Sequence, residues 1–223
     1  KAWTTERFAH EGTFFTIPET SVVPKPLQKP HPPIRIAANS PETAEFAGLH
    51  GYDIMAASPI NPLPGFFEHV RKYRDAAARS PHPAGAYDIA GLFFVCAADT
   101  PAKARAEYEP SMMHYFKTIG GQATLGDRTQ YEGSYSYLKE VRERAAKMNW
   151  EGVDATMAVF GPPDECIARI NRIHEGAGIN ELVCWFNPGG MIPHRDVMAS
   201  MERFASKVMP SVRGLGGNRA AAR

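Results

Sequence analysis

Apolar residues along this chain follow two alternating rhythms. Short, nearly continuous apolar runs lie at 34–38, 52–57, 87–97 and 182–186, and between them apolar residues recur every third or fourth position. Continuous runs of this length read as strands buried on both faces, and the 3.6-residue period reads as helices with one buried stripe. The period places Ala44, Ala47 and Gly48 on one face of a helix over 41–50, ended by Gly51. It places Phe66, Val70, Tyr73 and Ala77 on one face of a helix reaching Ser80, and Cys166, Ile167, Ile170 and Ile173 inward over 163–174. Helices are also predicted over 101–118, closed near Gly120 and Gly121, and over 135–147. A final helix over 193–209 is expected to bury Val197, Met201, Phe204, Ala205 and Val208.

Strand and helix therefore alternate four times, the pattern of parallel βαβ units with right-handed crossovers. No glycine-rich turn of the dinucleotide-binding type follows the first strand, which speaks against a Rossmann arrangement. Four such units are half of a (β/α)8 TIM barrel, so the predicted fold class is α/β of TIM-barrel type with about four βα units and a helical insertion. In that fold the strand ends at 39–40, 57–58, 97–99 and 187–190 share one rim, where barrel enzymes build their sites. Residues 1–223 read as a single domain. The polar stretch 122–134 lacks periodicity and is long for a connector, so it is expected to be a mobile loop. Ahead of the first strand, Gly12 and the run 13–17 predict a hairpin, and Pro24, Pro26, Pro30, Pro32 and Pro33 a stiff extended connector.

Composition narrows the class. The chain has 223 residues with a formal net charge of +1 and no basic block, which gives no electrostatic reason to expect nucleic acid or an anionic membrane as partner. No stretch approaches the roughly 20 apolar residues of a membrane span. Cys96, Cys166 and Cys184 are an odd number set in apolar surroundings, and read as reduced core residues of a cytoplasmic protein. The eight histidines are scattered, so no metal site is expected. The chain opens at Lys1 without an initiator Met, the mark of a trimmed or partial polypeptide.

The run 33–47 carries the most chemistry. A short strand passes directly into a helix beginning Ser40-Pro41-Glu42-Thr43. Ser40 is a good N-cap and Pro41 a good first helical residue, which puts the Thr43 hydroxyl beside unpaired backbone N–H groups. Such a run is in the first place a helix start, but the same N–H groups and the helix dipole also favour a phosphate. Trp185, Phe186 and Asn187 end the last strand, where an aromatic either borders a pocket or is ordinary core. His194 reads as a surface or capping residue. Tyr131, Tyr135 and Tyr137 flank the expected loop, and Met112, Met113, Met198, Met201 and Met209 sit at helical spacings as packing residues. Asp164 and Glu165 suit a helix start. None of the cysteines has the electropositive neighbours that thiolate chemistry requires.

Taken together, the connector 23–34, the turn Ala38-Asn39-Ser40-Pro41-Glu42-Thr43, the segment Gly161-Pro162-Pro163-Asp164-Glu165 and the tail from Trp185-Phe186-Asn187-Pro188-Gly189-Gly190 to Met209-Pro210 resemble the bacterial luciferase-like, flavin-dependent monooxygenases. The resemblance covers nearly the whole chain and places it in the C-terminal half of that family's barrel. It implies a site for reduced FMN at the barrel mouth, with Ala38, Asn39, Ser40 and Thr43 binding the cofactor and the two hydroxyls holding its phosphate. It implies oxidation of a small organic substrate by O2, with Trp185, Phe186 and Asn187 near the pocket. A flavin reductase supplying reduced FMN is the implied partner, and a homodimer the implied assembly. Where luciferase has an acidic residue this chain has Asn39, so no carboxylate role attaches there. The family's catalytic histidine and basic phosphate partners belong to the N-terminal half, so this stretch alone is not expected to complete the reaction. Two other readings stay open: a deazaflavin (F420)-dependent oxidoreductase of the same superfamily, and a non-catalytic flavin-binding protein.

Overall fold

The computed structural model describes residues 1–29, 31–82, 88–122 and 137–215. The chain divides into two compact units, Lys1–Arg35 and Ile36–Arg223. The first holds an antiparallel hairpin of β1 (Phe8–Glu11) and β2 (Thr16–Thr20), closed by a bond from the Gly12 N–H to the Phe15 carbonyl at 2.9 Å. The hairpin predicted around Gly12 is present, with its first strand beginning earlier than the pattern indicated. The Val23–Pro24 peptide bond that follows it is cis.

The second unit is built on a parallel sheet. Its strands are β3 (Arg35–Ala37), β4 (Asp53–Ala57), β5 (Ile89–Ala97), β6 (Ala158–Gly161) and β7 (Glu181–Trp185). The helices are α1 (Pro41–Leu49), α2 (Leu63–Ala77), α3 (Pro101–Gln122), α4 (Tyr137–Ala146), α5 (Trp150–Thr156), α6 (Pro163–Ala177) and α7 (His194–Arg203). α7 continues through a π-helical turn (Phe204–Val208) into α8 (Met209–Val212). The four predicted strands are all present and all parallel, which puts their C-terminal ends on one side of the sheet.

β6 is an addition to the sequence reading. Successive residues of a strand turn their N–H and C=O groups to opposite edges. The Leu92 carbonyl of β5 accepts from the Ser58 N–H at 3.0 Å, and the Phe94 N–H donates to Met157 O at 3.3 Å, so β4 and β6 occupy the same edge of β5 one after the other. Ser58, fully buried, joins them by donating its hydroxyl to Met157 O at 2.9 Å. β7 takes the opposite edge, in register from Ala90↔Glu181 to Phe94↔Trp185. Beyond that register two α7 side chains replace a strand: Ser200 Oγ accepts from the Ala97 N–H at 3.0 Å, and Arg203 donates to Ala97 O at 2.8 Å.

The two faces of β5 serve separate cores. Ile89, Phe93, Val95 and Ala97 join Ala44 and Ala47 of α1, Phe66, Val70 and Tyr73 of α2, Cys166, Ile170 and Ile173 of α6, and Phe204 and Val208. Phe94 and Cys96 face Tyr108, Met112 and Phe116 of α3, Trp150 and Val153 of α5, and Phe160. Burial of apolar area at about 25 cal/mol per Å2 makes these two clusters the main source of stability.

Three expectations are corrected. α3 runs through Gly120 and Gly121 to Gln122, past the predicted stop. Met201 and Ala205 are exposed, and the buried stripe runs instead through Ser200, Phe204 and Val208, Ser200 turning inward to bond the end of β5. Met198 is likewise 48% exposed and is not a packing residue. The expected loop lies outside the described residues except for Gln122, and so do Tyr131 and Tyr135.

Candidate functional site

The mouth of α1 forms as its sequence dictates. Ser40 adopts the extended N-cap conformation (φ −121°, ψ 155°), and its Oγ accepts from the Thr43 N–H at 3.2 Å. The Ser40 and Thr43 hydroxyls lie 3.0 Å apart, and Ser40 is buried. Ala38, also buried, ties the end of β3 to β4 by donating its N–H to Met55 O at 2.9 Å. Neither the Ser40 N–H nor the Glu42 N–H has a hydrogen-bond partner among the described residues. Two hydroxyls and two spare amides at the positive end of a helix dipole are groups that can donate to an anion. Of the four predicted cofactor residues, Ser40 and Thr43 stand together as donors, and Ala38 supplies the anchored backbone behind them.

Asn39 is used differently from its neighbours. Its side-chain oxygen accepts from the Ala57 N–H at 3.3 Å, joining the ends of β3 and β4. Its backbone carbonyl accepts from Asn61 Nδ2 at 3.1 Å. Asn61 lies in the loop between β4 and α2, whose Ile60 carbonyl also accepts from Arg144 of α4 at 2.6 Å. Neither Asn61 nor Arg144 stands out in the sequence, because each acts on a residue remote in the chain.

The predicted pocket residues do not gather in one place. Trp185 packs on Phe94 (ring centroids 5.5 Å apart) and edge-on against Tyr115 of α3 (5.2 Å). Phe186 turns to the other face of the sheet, edge-on to Phe204 at 5.7 Å. Asn187 turns inward on its own loop, its Oδ1 accepting from the Ile192 N–H at 3.3 Å. That rim loop is pinned to α3 by buried Ser111, which donates to Pro188 O at 2.6 Å and accepts from the Met191 N–H at 3.1 Å. At the end of β5, Asp99 pairs with Lys103 and Arg203, both at 2.8 Å, and the Lys103 ammonium holds its carboxyl below the usual carboxylate range.

The cysteines are inert by environment. Burial pushes the thiols of Cys166 and Cys184 up to about 12 and about 11, and raises that of Cys96 as well. His194 is exposed at the start of α7. Among the described residues no three His, Cys, Asp or Glu side chains are grouped to hold a metal ion, and no helix is long and apolar enough to cross a membrane.

Known proteins share this architecture. The flavin-dependent trigonelline monooxygenase oxygenase component of Acinetobacter baylyi is 27% identical over 92% of this chain and 55% of its own length. The FMNH2-dependent dimethylsulfone monooxygenase of Pseudomonas putida is 26% identical over 99% of this chain and 57% of its own. The chain thus spans about half the length of these curated relatives. Among solved structures, a Streptomyces bottropensis monooxygenase superposes with a TM-score of 0.61 at 25% identity, covering 94% of this chain and 57% of that one. An F420-dependent secondary alcohol dehydrogenase superposes with a TM-score of 0.63 at 19% identity, over 95% of this chain and 58% of that one, a likeness of fold. The pattern that defines luciferase-like monooxygenases matches residues 1–181, and the chain belongs to that family.

Proposed function

We propose that this chain contributes the phosphate-binding end of the cofactor site in an FMN-dependent monooxygenase, which uses reduced flavin and O2 to oxidise a small organic substrate. The observation that carries the reading is the donor set at the mouth of α1: spare N–H groups on Ser40 and Glu42 beside the Ser40 and Thr43 hydroxyls. A phosphate dianion offers several acceptor oxygens to such donors, and the hydroxyls are free to rotate toward it. The fit is chemical as well as positional, since the cradle lies at the C-terminal edge of the sheet, where barrel enzymes bind ligands.

Bound FMN supplies the redox chemistry. The residues of this chain hold and orient it: Ala38 and Asn39 fix the β3 end, and Ser40 and Thr43 anchor the phosphate. Trp185, placed on the same face as Tyr115 and Phe94, is the member of the aromatic pair that we assign to the pocket wall. Phe186 packs on the opposite face and is released from that role. The naming of one relative as an oxygenase component and another as FMNH2-dependent supports a separate reductase as the source of reduced flavin. A homodimer in the cytoplasm completes the proposal.

The test compares FMN with riboflavin, which lacks the phosphate, by flavin fluorescence titration of the intact protein. Hydrogen bonds to a charged group contribute about 1.5–3 kcal/mol each, so Ser40→Ala with Thr43→Ala should weaken FMN binding by roughly a hundredfold or more. Riboflavin affinity should stay within a factor of about three. Unchanged FMN affinity in the double variant overturns the assignment of the phosphate site. Preferential loading with F420 and hydride transfer without O2 consumption would move the protein to the deazaflavin oxidoreductases, and tight flavin binding without any turnover would make it a flavin carrier.

A further inference from the structure

The anion cradle depends on one peptide plane, and that plane is held from outside the helix. Asn39 O accepts from Asn61 Nδ2 at 3.1 Å. In a planar trans peptide the carbonyl and the following N–H point in opposite directions. Holding the Asn39 carbonyl toward Asn61 therefore aims the Ser40 N–H the other way, and that N–H has no partner among the described residues. The Asn39 side chain fixes the same residue from a second direction by accepting from the Ala57 N–H at 3.3 Å.

Asn61 is itself held. Its N–H donates to Ala57 O at 3.0 Å, and the preceding Ile60 carbonyl is engaged by Arg144 at 2.6 Å. The carboxamide thus extends from an anchored loop, half-buried, and reaches a residue on a different strand end. A donor is required at this position because the acceptor is a carbonyl, and only the Asn61 amide reaches it among the described residues.

We infer that Asn61 is a positioning residue for the phosphate group of the flavin: it sets the Ser40 amide to receive an anion and does not touch the ligand itself. The inference rests on the reading of the α1 mouth as the phosphate site. A ligand without phosphate makes no use of the Ser40 amide, so the effect of Asn61 is confined to FMN.

The experiment measures FMN and riboflavin affinity for Asn61→Ala and for the Ser40→Ala, Thr43→Ala double variant, and follows the Ser40 amide by NMR as FMN is added. Asn61→Ala keeps the Ser40 N–H and removes only its preorientation, so FMN should weaken by about five- to tenfold, less than the loss of a whole bond to a charged group, with riboflavin unchanged. The Ser40 amide resonance should move downfield on FMN binding in the wild-type protein and lose most of that movement in Asn61→Ala. Asn61→Asp, which supplies no donor when ionised, should reproduce the alanine result or exceed it. Equal loss of FMN and riboflavin would reduce Asn61 to a structural role and overturn the inference. Normal FMN binding in Asn61→Ala with failure of the double variant would also overturn it while leaving the phosphate site intact. Normal binding in both would remove the site itself.

Discussion

Gly189 and Gly190 form a matched pair for testing how the rim loop after β7 is held. Both have left-handed backbones, with φ of +81° and +72°. Substitution by alanine therefore carries the same conformational penalty at each, about 1–2 kcal/mol for a non-glycine residue in that region. The surroundings differ. A Cβ on Gly190 meets nothing within 4 Å, whereas one on Gly189 overlaps the Ser111 carbonyl oxygen and stands 3.0 Å from both the Ser111 carbonyl carbon and its Oγ. The obstacle is helix backbone and cannot rotate away, so the loop must move. That displacement strains or breaks the two bonds that buried Ser111 makes to Pro188 and Met191. At about 1 kcal/mol for each buried bond, Gly189→Ala should cost about 3–4 kcal/mol and Gly190→Ala about 1–2 kcal/mol. Urea unfolding of the two variants, followed by tryptophan fluorescence, measures the difference. Equal losses, within about 0.5 kcal/mol, would refute the close approach of the loop to α3.

Two further outcomes follow from buried charge and buried thiols. The Arg169 side chain is 15% exposed and bridges Asp154 at 2.8 Å and Glu165 at 2.6 Å; Arg169→Met leaves two carboxylates unpaired and should cost about 2 kcal/mol, less than a fully buried pair because both acids reach solvent. A change below about 0.5 kcal/mol in urea unfolding would show the network to be decorative. For Cys166, burial lifts the folded thiol from 9.0 to about 12, so above pH 9 the unfolded chain gives up a proton that the folded chain keeps. Its contribution is intact below pH 9 and is lost as pH rises toward 12, at up to about 1.4 kcal/mol per pH unit. Cys166→Ala should flatten the decline of unfolding free energy between pH 9 and 10.5, and an unchanged slope would contradict the burial.

Local signals carried much of the fold. The stripes on α1, α2 and α6 needed only period and caps, and Ala44, Phe66, Val70, Cys166 and Ile170 are buried as the pattern required. Ser40 and Thr43 were readable for the same reason, since capping is a relation between residues three apart. What escaped was either very short or nonlocal. β6 has four residues and ends at Gly161, directly before the paired prolines that mark a helix start, so its pattern gave no strand signal. The π-helical turn has no hydrophobic signature of its own. Asn61 reaches a residue 22 positions away, and Ser111 one 77 positions away; only the folded sheet brings such pairs together.

The length of β5 has a consequence for how this architecture diversifies. β5 has nine residues against five in β4 and in β7, and its register with β4 ends at Leu92. At about 3.3 Å per residue, the strand overhangs that neighbour by roughly 16 Å, carrying β6 and α3 with it as a raised parapet. The mouth of α1 sits at the lower level, beside β3 and β4. Insertions and exchanges along the parapet can remodel whatever wall it presents while the footing at the mouth of α1 stays untouched.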